Sequence, residues 1–333
     1  MKFAEVLEIK NGKNQKQVED ADGKYPIYGS GGIMGWATDY ICPAETVIIG
    51  RKGTINNPIY VDTPFWNVDT AFGLVADKNI LLPKYLYYFC KHFDFLALNT
   101  TVTIPSLTKA NLLKIDIPIP NMDEQRYISG LLDNVEKLIE IKTNEKVELD
   151  NLVKSRFIEM FSNKEFPIYK WKDVFETTTG KLDSNAMVPD GPYPFFTCAK
   201  DIFRIDKYAF DQEALLLAGN NAAGKYDVKH YKGKFNAYQR TYVLTLKNSW
   251  SYSLFKYQLE DKLTYLQEQS KGTNTRYITL KILGDLEFIV PPIELQNQFA
   301  SFVEQTDKLK LAAQETLNEL EILKKSLMQK YFG

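Results

Sequence analysis

Leu149-Asp150-Asn151-Leu152-Val153-Lys154-Ser155-Arg156-Phe157-Ile158-Glu159-Met160-Phe161 comes back 171 residues later as Leu320-Glu321-Ile322-Leu323-Lys324-Lys325-Ser326-Leu327-Met328-Gln329-Lys330-Tyr331-Phe332. Leu149, Leu152, Lys154, Ser155 and Phe161 fall on Leu320, Leu323, Lys325, Ser326 and Phe332. The correspondence continues outward from this pair. Leu107-Thr108 falls on Ile278-Thr279, Pro120 on Pro291 and Gln125 on Gln296. Phe65-Trp66-Asn67 through Leu74 falls on Phe235-Asn236-Ala237 through Leu244, and Tyr25-Pro26-Ile27-Tyr28 on Tyr193-Pro194-Phe195-Phe196. Phe3-Ala4-Glu5-Val6-Leu7-Glu8 with Gly12-Lys13 meets Trp171-Lys172-Asp173-Val174-Phe175-Glu176 with Gly180-Lys181. The offset drifts only from 168 to 171, so the chain is one unit written twice.

Each unit has two textures. Residues 1–120 and 165–290 carry short apolar runs punctuated by Gly, Pro, Asn and Asp, such as Thr46-Val47-Ile48-Ile49, Ala71-Phe72-Gly73-Leu74-Val75 and Leu215-Leu216-Leu217-Ala218. These read as buried strands between turns, with helices over 82–93 and 249–269 packed on the sheet. After Pro118-Ile119-Pro120 the chain runs to Phe161 without proline. Ile128, Leu131, Leu132, Val135, Leu138, Ile139, Leu149, Leu152 and Val153 share one helical face there, with Asp123 and Glu124 in the first turn. After Pro291-Pro292 a matching stretch places Phe299, Phe302, Val303, Leu309, Leu317, Leu320, Leu323 and Leu327 on a comparable stripe. Each helix is about 38 residues, on the order of 57 Å. Two such stripes most simply satisfy each other as an antiparallel coiled coil. That pairing would put the β-rich domains at opposite ends of a rod. The expected fold class is α+β, with two similar mixed β-rich domains separated by two long helices. The expected domains are 1–121 and 164–292, with helices over 122–163 and 293–333.

Composition narrows the function. The chain has 333 residues, enough for about two domains. Lys+Arg at 41 against Asp+Glu at 42 excludes a polybasic nucleic-acid binder, though not a local basic groove. Cys42, Cys90 and Cys198 lie too far apart in sequence for a zinc or disulfide pattern, and with only His92 and His230 a histidine-rich metal centre is not expected. The N-terminus, Met1-Lys2-Phe3-Ala4-Glu5, turns acidic at once, unlike a signal peptide, and no apolar run reaches the roughly 20 residues of a membrane span. A soluble, cytoplasmic protein without membrane association is expected. Most of the 20 Tyr and 20 Phe belong to the cores.

Catalytic motifs are missing. Val290-Pro291-Pro292-Ile293 lacks the amide or carboxylate and the stacking aromatic that exocyclic amine methylation needs, and it reads as the start of a helix. Gly29-Ser30-Gly31-Gly32 is followed by no Gly-x-Gly-x-x-Gly and reads as a plain turn. Neither a Walker lysine, a Gly-x-Ser-x-Gly elbow nor a His-Glu-x-x-His occurs. Carboxylates such as Asp62, Asp69 and Asp227 have no catalytic spacing. The chain is expected to be no enzyme and to hold no cofactor or metal.

Polar loops remain, and they suit recognition. Gly50-Arg51-Lys52-Gly53-Thr54-Ile55-Asn56-Asn57 follows a buried strand and presents guanidinium, ammonium and amide groups. Arg suits guanine O6/N7 and Asn suits adenine N6/N7, while either cation can hold phosphate. In the second unit Gly219-Asn220-Asn221-Ala222-Ala223-Gly224-Lys225 aligns with it. Further on, Asn67-Val68-Asp69-Thr70 aligns with Ala237-Tyr238-Gln239-Arg240, and Asn99-Thr100-Thr101-Val102-Thr103 with Lys271-Gly272-Thr273-Asn274-Thr275-Arg276-Tyr277. The framework matches while the loops diverge, as two copies of one scaffold with different reading heads would. The candidate contacts to DNA are Ser30, Arg51, Lys52, Thr54, Asn56, Asn57, Thr101 and Thr103 in the first unit. In the second they are Asn220, Asn221, Lys225, Tyr238, Gln239, Arg240, Lys271, Asn274 and Arg276.

The order of a Gly-Lys turn, Tyr-Pro, Gly50-Arg51-Lys52-Gly53, Phe65-Trp66-Asn67-Val68-Asp69-Thr70-Ala71-Phe72, Pro118-Ile119-Pro120 with Glu124-Gln125, and a long helix resembles specificity (S) subunits of type I restriction-modification systems. Lys234-Phe235-Asn236-Ala237-Tyr238-Gln239-Arg240-Thr241-Tyr242 and Pro291-Pro292 with Gln296 fit as well, so the resemblance covers essentially the whole chain. It implies two target-recognition domains, each reading half of a split, asymmetric DNA site. It also implies partners: modification subunits, two of them, that carry S-adenosylmethionine and methylate adenine, and motor-nuclease restriction subunits reached through the complex. The chain is compact for this family. Two other readings stay open, a detached recognition part of a fused methyltransferase-nuclease and a two-headed interaction scaffold that binds no nucleic acid.

Overall fold

The computed structural model describes residues 1–98, 106–162, 165–222 and 224–333. Its contacts divide the chain into two units, Met1–Glu145 with Ala313–Gly333, and Lys146–Ala312. The first unit contains α1 (Phe3–Val6), β1 (Leu7–Asn11), β2 (Tyr25–Gly29), β3 (Gly32–Ala37), β4 (Thr46–Gly50), β5 (Ile59–Val61), β6 (Trp66–Asn67) and β7 (Ala71–Ala76). It continues with α2 (Pro83–His92), α3 (Lys109–Leu112) and the first part of α4 (Met122–Phe161). The second unit contains the rest of α4, then β8 (Ile168–Lys170), α5 (Trp171–Val174), β9 (Phe175–Thr179), β10 (Tyr193–Phe196), β11 (Phe203–Ile205), β12 (Phe210–Ala218) and β13 (Asn220–Asn221). There follow β14 (Val228–Ala237), β15 (Thr241–Leu246), α6 (Tyr252–Asp261), α7 (Leu263–Gln269), β16 (Arg276–Tyr277), α8 (Leu280–Gly284), β17 (Glu287–Ile289) and the start of α9 (Ile293–Phe332), whose last part returns to the first unit.

The duplication seen in the sequence is a duplication of strand register. Leu7 faces Ala76 across β1 and β7, and Phe175 faces Leu246 across β9 and β15. The parallel pair β2–β6 sets Ile27 against Trp66, and β10–β14 sets Phe195 against Asn236. Strand β4 shows no alternation because both of its faces are covered. Val47 and Ile49 share a core with Tyr85, Leu86 and Phe89 of α2, whereas Ile48 packs with Cys42, Val61 and Phe65. In β12, Leu215 and Leu217 share a core with Phe255 and Leu259 of α6, and Leu216 packs with Phe196, Phe235 and Val243. The units differ where Pro64 stands. With no N–H to give the ladder, it separates β5 from β6, and the first unit has two sheets, ordered β1-β7-β4-β5 and β3-β2-β6. In the second unit β14 runs unbroken through the same place, with Gly233 at φ 128°, and joins one sheet ordered β11-β10-β14-β12-β15-β9.

Buried glutamines attach each sheet domain to its long helix. Gln125 Oε1 accepts from the N–H of Leu82, the N-cap of α2, at 2.9 Å. Its Nε2 donates to the carbonyls of Ile80 and Pro120, both at 2.9 Å. Gln296 Oε1 accepts from the N–H of Ser251, the N-cap of α6, at 2.9 Å, and its Nε2 donates to Pro291 at 2.8 Å. Both amides are sealed from water, and the oxygen and nitrogen of each have partners, which is the condition for keeping such groups inside.

Within each unit the two long helices run antiparallel. In the first, Ile128 and Leu132 share a core with Met328, and farther along α4 Glu136 meets Lys324 at 2.8 Å. In the second, Asp150 meets Lys310 at 2.6 Å, and Phe157 and Phe161 both lie against Phe299 with ring centroids 5.7 Å apart. The stripes do not fully satisfy each other, however. Ile128, Leu132, Val135, Leu149 and Val153 are buried, but Leu138, Leu152, Leu309 and Leu323 remain exposed, as do Ile141, Leu311 and Ile322. Glu136 is also reached by Lys91 of α2 at 2.8 Å, and Tyr88 of α2 donates to Asp133 at 2.7 Å. Burial alone would raise the Glu136 carboxyl, but bonds from Lys324 and Lys91 outweigh it and hold that group below its ordinary value.

Candidate nucleic-acid interface

In the first unit the candidate residues hang from the end of β4. The Arg51 N–H donates to the Thr70 carbonyl at 2.7 Å, and the Arg51 carbonyl accepts from Leu107 at 2.9 Å, so the loop is fixed by main chain on both sides. A Cβ on Gly50 would collide with the Thr54 carbonyl and come within 3.0 Å of the Ser30 side chain. Glycine therefore lets the loop fold back against the β2–β3 turn, and Ser30 joins Arg51–Asn57 at one place. Arg51, Lys52, Thr54 and Asn57 are exposed, with the Arg51 guanidinium 5.7 Å from the Phe72 ring centroid. Asn56 is committed elsewhere. Its Nδ2 donates to Asp94 at 2.6 Å and its Oδ1 accepts from Phe95 N–H at 2.8 Å, a clamp that fixes the loop rather than presenting an amide. Thr101 and Thr103 lie outside the described residues.

In the second unit the same main-chain device recurs one residue away from the place the sequence alignment gave. Gly219 N–H donates to the Arg240 carbonyl and the Gly219 carbonyl accepts from Ile278, both at 2.9 Å, as Arg51 does with Thr70 and Leu107. The strand ladder agrees, since Gly50 faces Ala71 as Ala218 faces Thr241. Arg51 thus corresponds to Gly219, and Lys52 to Asn220. Asn220 and Asn221 pair with Tyr277 and Arg276. Lys271 and Tyr277 exchange main-chain bonds of 3.1 and 2.8 Å around a loop that holds Asn274, with Gly272 at φ 100°. The Lys225 N–H donates to the Asn221 side chain at 3.3 Å. Tyr238, Gln239 and Arg240 form a turn closed by Thr241 N–H to Tyr238 carbonyl at 2.8 Å, and the Cys198 thiol donates to the Arg240 carbonyl at 3.3 Å. All nine candidates of this unit are thereby gathered at one end of β12 and β15. Arg276 is half-buried, with one nitrogen donating to the Gln267 carbonyl at 3.0 Å, so Arg240 is the freer guanidinium.

Several cations of these loops stand clear of carboxylates. Among the described residues, Arg51, Lys52, Lys225, Arg240, Lys271 and Arg276 have no carboxylate within 4.0 Å, whereas the lysines set between packed elements, Lys84, Lys91, Lys310 and Lys324, each have one. Unneutralised cations at loop tips suit a polyanion. The same residues offer no acid–base pair or nucleophile arrangement, and among the described residues no helix is long and apolar enough to cross a membrane.

Comparison with known proteins agrees with this layout. The sequence pattern of the type I restriction modification DNA specificity domain matches residues 1–151 and again 163–322. The chain is 38% identical over 159 residues to the type I restriction enzyme EcoDI specificity subunit of Escherichia coli, a match covering 45% of this chain and 34% of that one. It is 26% identical over 228 residues to a putative type I specificity subunit, S.MpnORF365P, of Mycoplasma pneumoniae, covering 63% of this chain and 82% of that one. Its fold is similar to the crystal structure of a type I restriction-modification S subunit from M. genitalium, with a TM-score of 0.69 at 18% identity over 100% of this chain and 95% of that one. With two copies of the pattern spanning nearly its whole length, the chain belongs to the family of type I restriction-modification DNA specificity domains.

Proposed function

We propose that this chain is the specificity component of a type I restriction-modification complex, reading a split, asymmetric DNA site with one half assigned to each unit. One observation carries this reading. Equivalent main-chain bonds hold the loops of both units, but the side chains on them differ, Arg51-Lys52 in one and Gly219-Asn220 in the other. Two identical brackets with different donors suit two different half-sites. The chain performs no chemistry itself. It acts in the cytoplasm, where two modification subunits bring S-adenosylmethionine and methylate adenine, and restriction subunits join through them. The exposed Leu138 and Ile141 of the first unit, and Leu309 and Leu311 of the second, are apolar helix positions that such partners would cover.

Co-expression with the modification subunit of its own system, followed by mapping of methylated adenines in the host DNA, tests this. Methylation confined to one bipartite site with unlike halves is the expected result, and a continuous palindrome would overturn it. Methyl transfer by the purified chain with S-adenosylmethionine would mark a piece of a fused enzyme instead. Absence of salt-dependent DNA binding would leave a protein scaffold, because phosphate neutralisation imposes a salt slope.

A further inference from the structure

The β2–β3 hairpin presents an apolar tip beside the cationic loop of the first unit. Gly29 faces Gly32 across a two-residue turn, Ser30-Gly31, and β3 is an edge strand of its sheet. Edge strands are ordinarily kept polar, yet here Ile33 is 58% and Met34 62% exposed. The tip adjoins the candidate interface. Ser30 lies against Gly50 at the root of the Arg51 loop, and the Met34 side chain covers Gly29 beside Val68, which precedes the Asp69-Thr70 turn.

The second unit repeats the feature. Pairing sets Pro26 opposite Trp36 and Pro194 opposite Arg204. Counting back along the chain from Trp36 and Arg204 matches Ile202, which is 52% exposed, with Met34, the residue that a bulge after Ile27 leaves out of the ladder. The loop before Ile202 also adjoins that unit's candidate interface, since the Cys198 thiol bonds to the Arg240 carbonyl and Lys229 Nζ donates to the Ala199 carbonyl at 2.8 Å. Most paired side chains of these hairpins differ, Trp36 against Arg204 and Gly35 against Phe203, but the exposed apolar residue just before Gly35 or Phe203 is kept in both.

Polar groups and cations can grip phosphates and the hydrogen-bonding edges of bases. They leave unread the one apolar feature of the major groove, the thymine C5-methyl. An aliphatic side chain flanked by unpaired cations complements a methyl group set among phosphates. We infer that Met34, with Ile33, and Ile202 are specificity-determining residues, each contacting a thymine methyl in the major groove of the half-site read by its own unit. This inference rests on the DNA-reading function proposed above.

The test compares wild type with Met34→Ser, Met34→Leu and Ile202→Ser, each co-expressed with the modification subunit, by methylation mapping. Because these side chains are exposed, the variants are expected to fold, and circular dichroism checks it. Met34→Ser should relax one thymine position in one half-site, Ile202→Ser one in the other, and Met34→Leu should keep the preference. Purified complexes are then titrated with the mapped duplex carrying uracil for that thymine. Wild type should lose about four-fold in affinity, the worth of one methyl taken out of water, and Met34→Ser should lose nothing further. If wild type methylates a split site while both serine variants keep both half-sites unchanged, the inference falls and the functional reading stands. If the serine variants instead fail to co-purify with the modification subunit, the hairpin is a protein contact and the inference is equally overturned. If wild type directs no methylation and binds no duplex, the functional reading itself fails and takes the inference with it.

Discussion

Replacing Gln125 by Met keeps the length of the side chain and removes both polar atoms through which this residue holds the first sheet domain to the start of α4. Three hydrogen bonds disappear, leaving the Leu82 N–H and the Ile80 and Pro120 carbonyls without their partner. A net hydrogen bond is worth about 1 kcal/mol, and an orphaned buried group costs roughly 1–3 kcal/mol. The orphans here are only half-buried and water reaches them in part, so the lower bound applies to each. The sum is about 3 kcal/mol for Gln125→Met by that measure. Gln296→Met loses the bonds to the half-buried Ser251 and the buried Pro291, roughly 2–4 kcal/mol. Hydrogen exchange followed by mass spectrometry reads local opening directly. Exchange in 80–93 should quicken by about 150-fold in the first variant, and in 251–261 by about 30-fold or more in the second. Less than two-fold acceleration in either, or equal acceleration of both regions by each substitution, would refute the clamp.

Arg51→Ala and Arg240→Ala should each cost roughly 1–3 kcal/mol of base discrimination and relax different half-sites in methylation mapping. Uniform weakening across all sequences would make these side chains phosphate clamps. Because bonds from Lys324 and Lys91 overcome burial and depress Glu136, its contribution is present above the ordinary carboxylate value and fades as pH falls through its lower folded one. Denaturation midpoints of Glu136→Gln and wild type should therefore converge below about pH 4. Gly12→Ala and Gly180→Ala put a Cβ into the Val68 and Ala237 carbonyls and should each destabilise by about 1–3 kcal/mol. Gly130→Ala meets nothing within 4 Å in the interior of α4 and should stabilise by about 0.5–1 kcal/mol, read as a raised melting temperature.

Where backbone geometry dictates residue type, the sequence is legible. Gly12 and Gly180 occupy one position because carbonyls of the same turn press on both, Val68 and Asn67 on one and Ala237 and Tyr238 on the other. Thr108 and Thr279 match because each caps a short helix, accepting from Asn111 at 3.2 Å and Ile282 at 3.4 Å. The one-residue slip between the reading loops has a physical cause of the same kind. Gly50 is required by the Thr54 carbonyl, whereas Gly219 is required by the Arg240 carbonyl and the Tyr242 ring. Aligning one glycine on the other matched residue types and missed the main-chain bonds. Asn56 left no local signal either, since its partners Asp94 and Phe95 are distant in sequence. On the helices, periodicity marks Leu138 and Leu309 as apolar but does not say which surface covers them, and in this chain neither meets the opposite stripe.

The separation between a repeated frame and unlike loops follows from how the loops are fastened. Arg51 and Gly219 are held by N–H and carbonyl groups that every residue except proline possesses in full. The side chain at Arg51 can therefore change without loosening the loop. At Gly219 the Arg240 carbonyl leaves no room for a Cβ, and the same freedom passes to the next residue, Asn220. The glutamine clamps and pressed glycines allow no such freedom, because there the side chain, or its absence, is itself the contact. Selection on DNA sequence could act on the first class of position at little cost in stability. The second class would resist change whatever site is read. The same reasoning ranks the candidate readers. Arg51, Lys52, Asn220 and Arg240 are fixed through main chain and spend no side-chain hydrogen bond on the fold, whereas Asn56 and Arg276 each do. Exchanging Arg51-Lys52 for other residues should accordingly rewrite a half-site, while the same exchange at Asn56 should first cost the loop its shape.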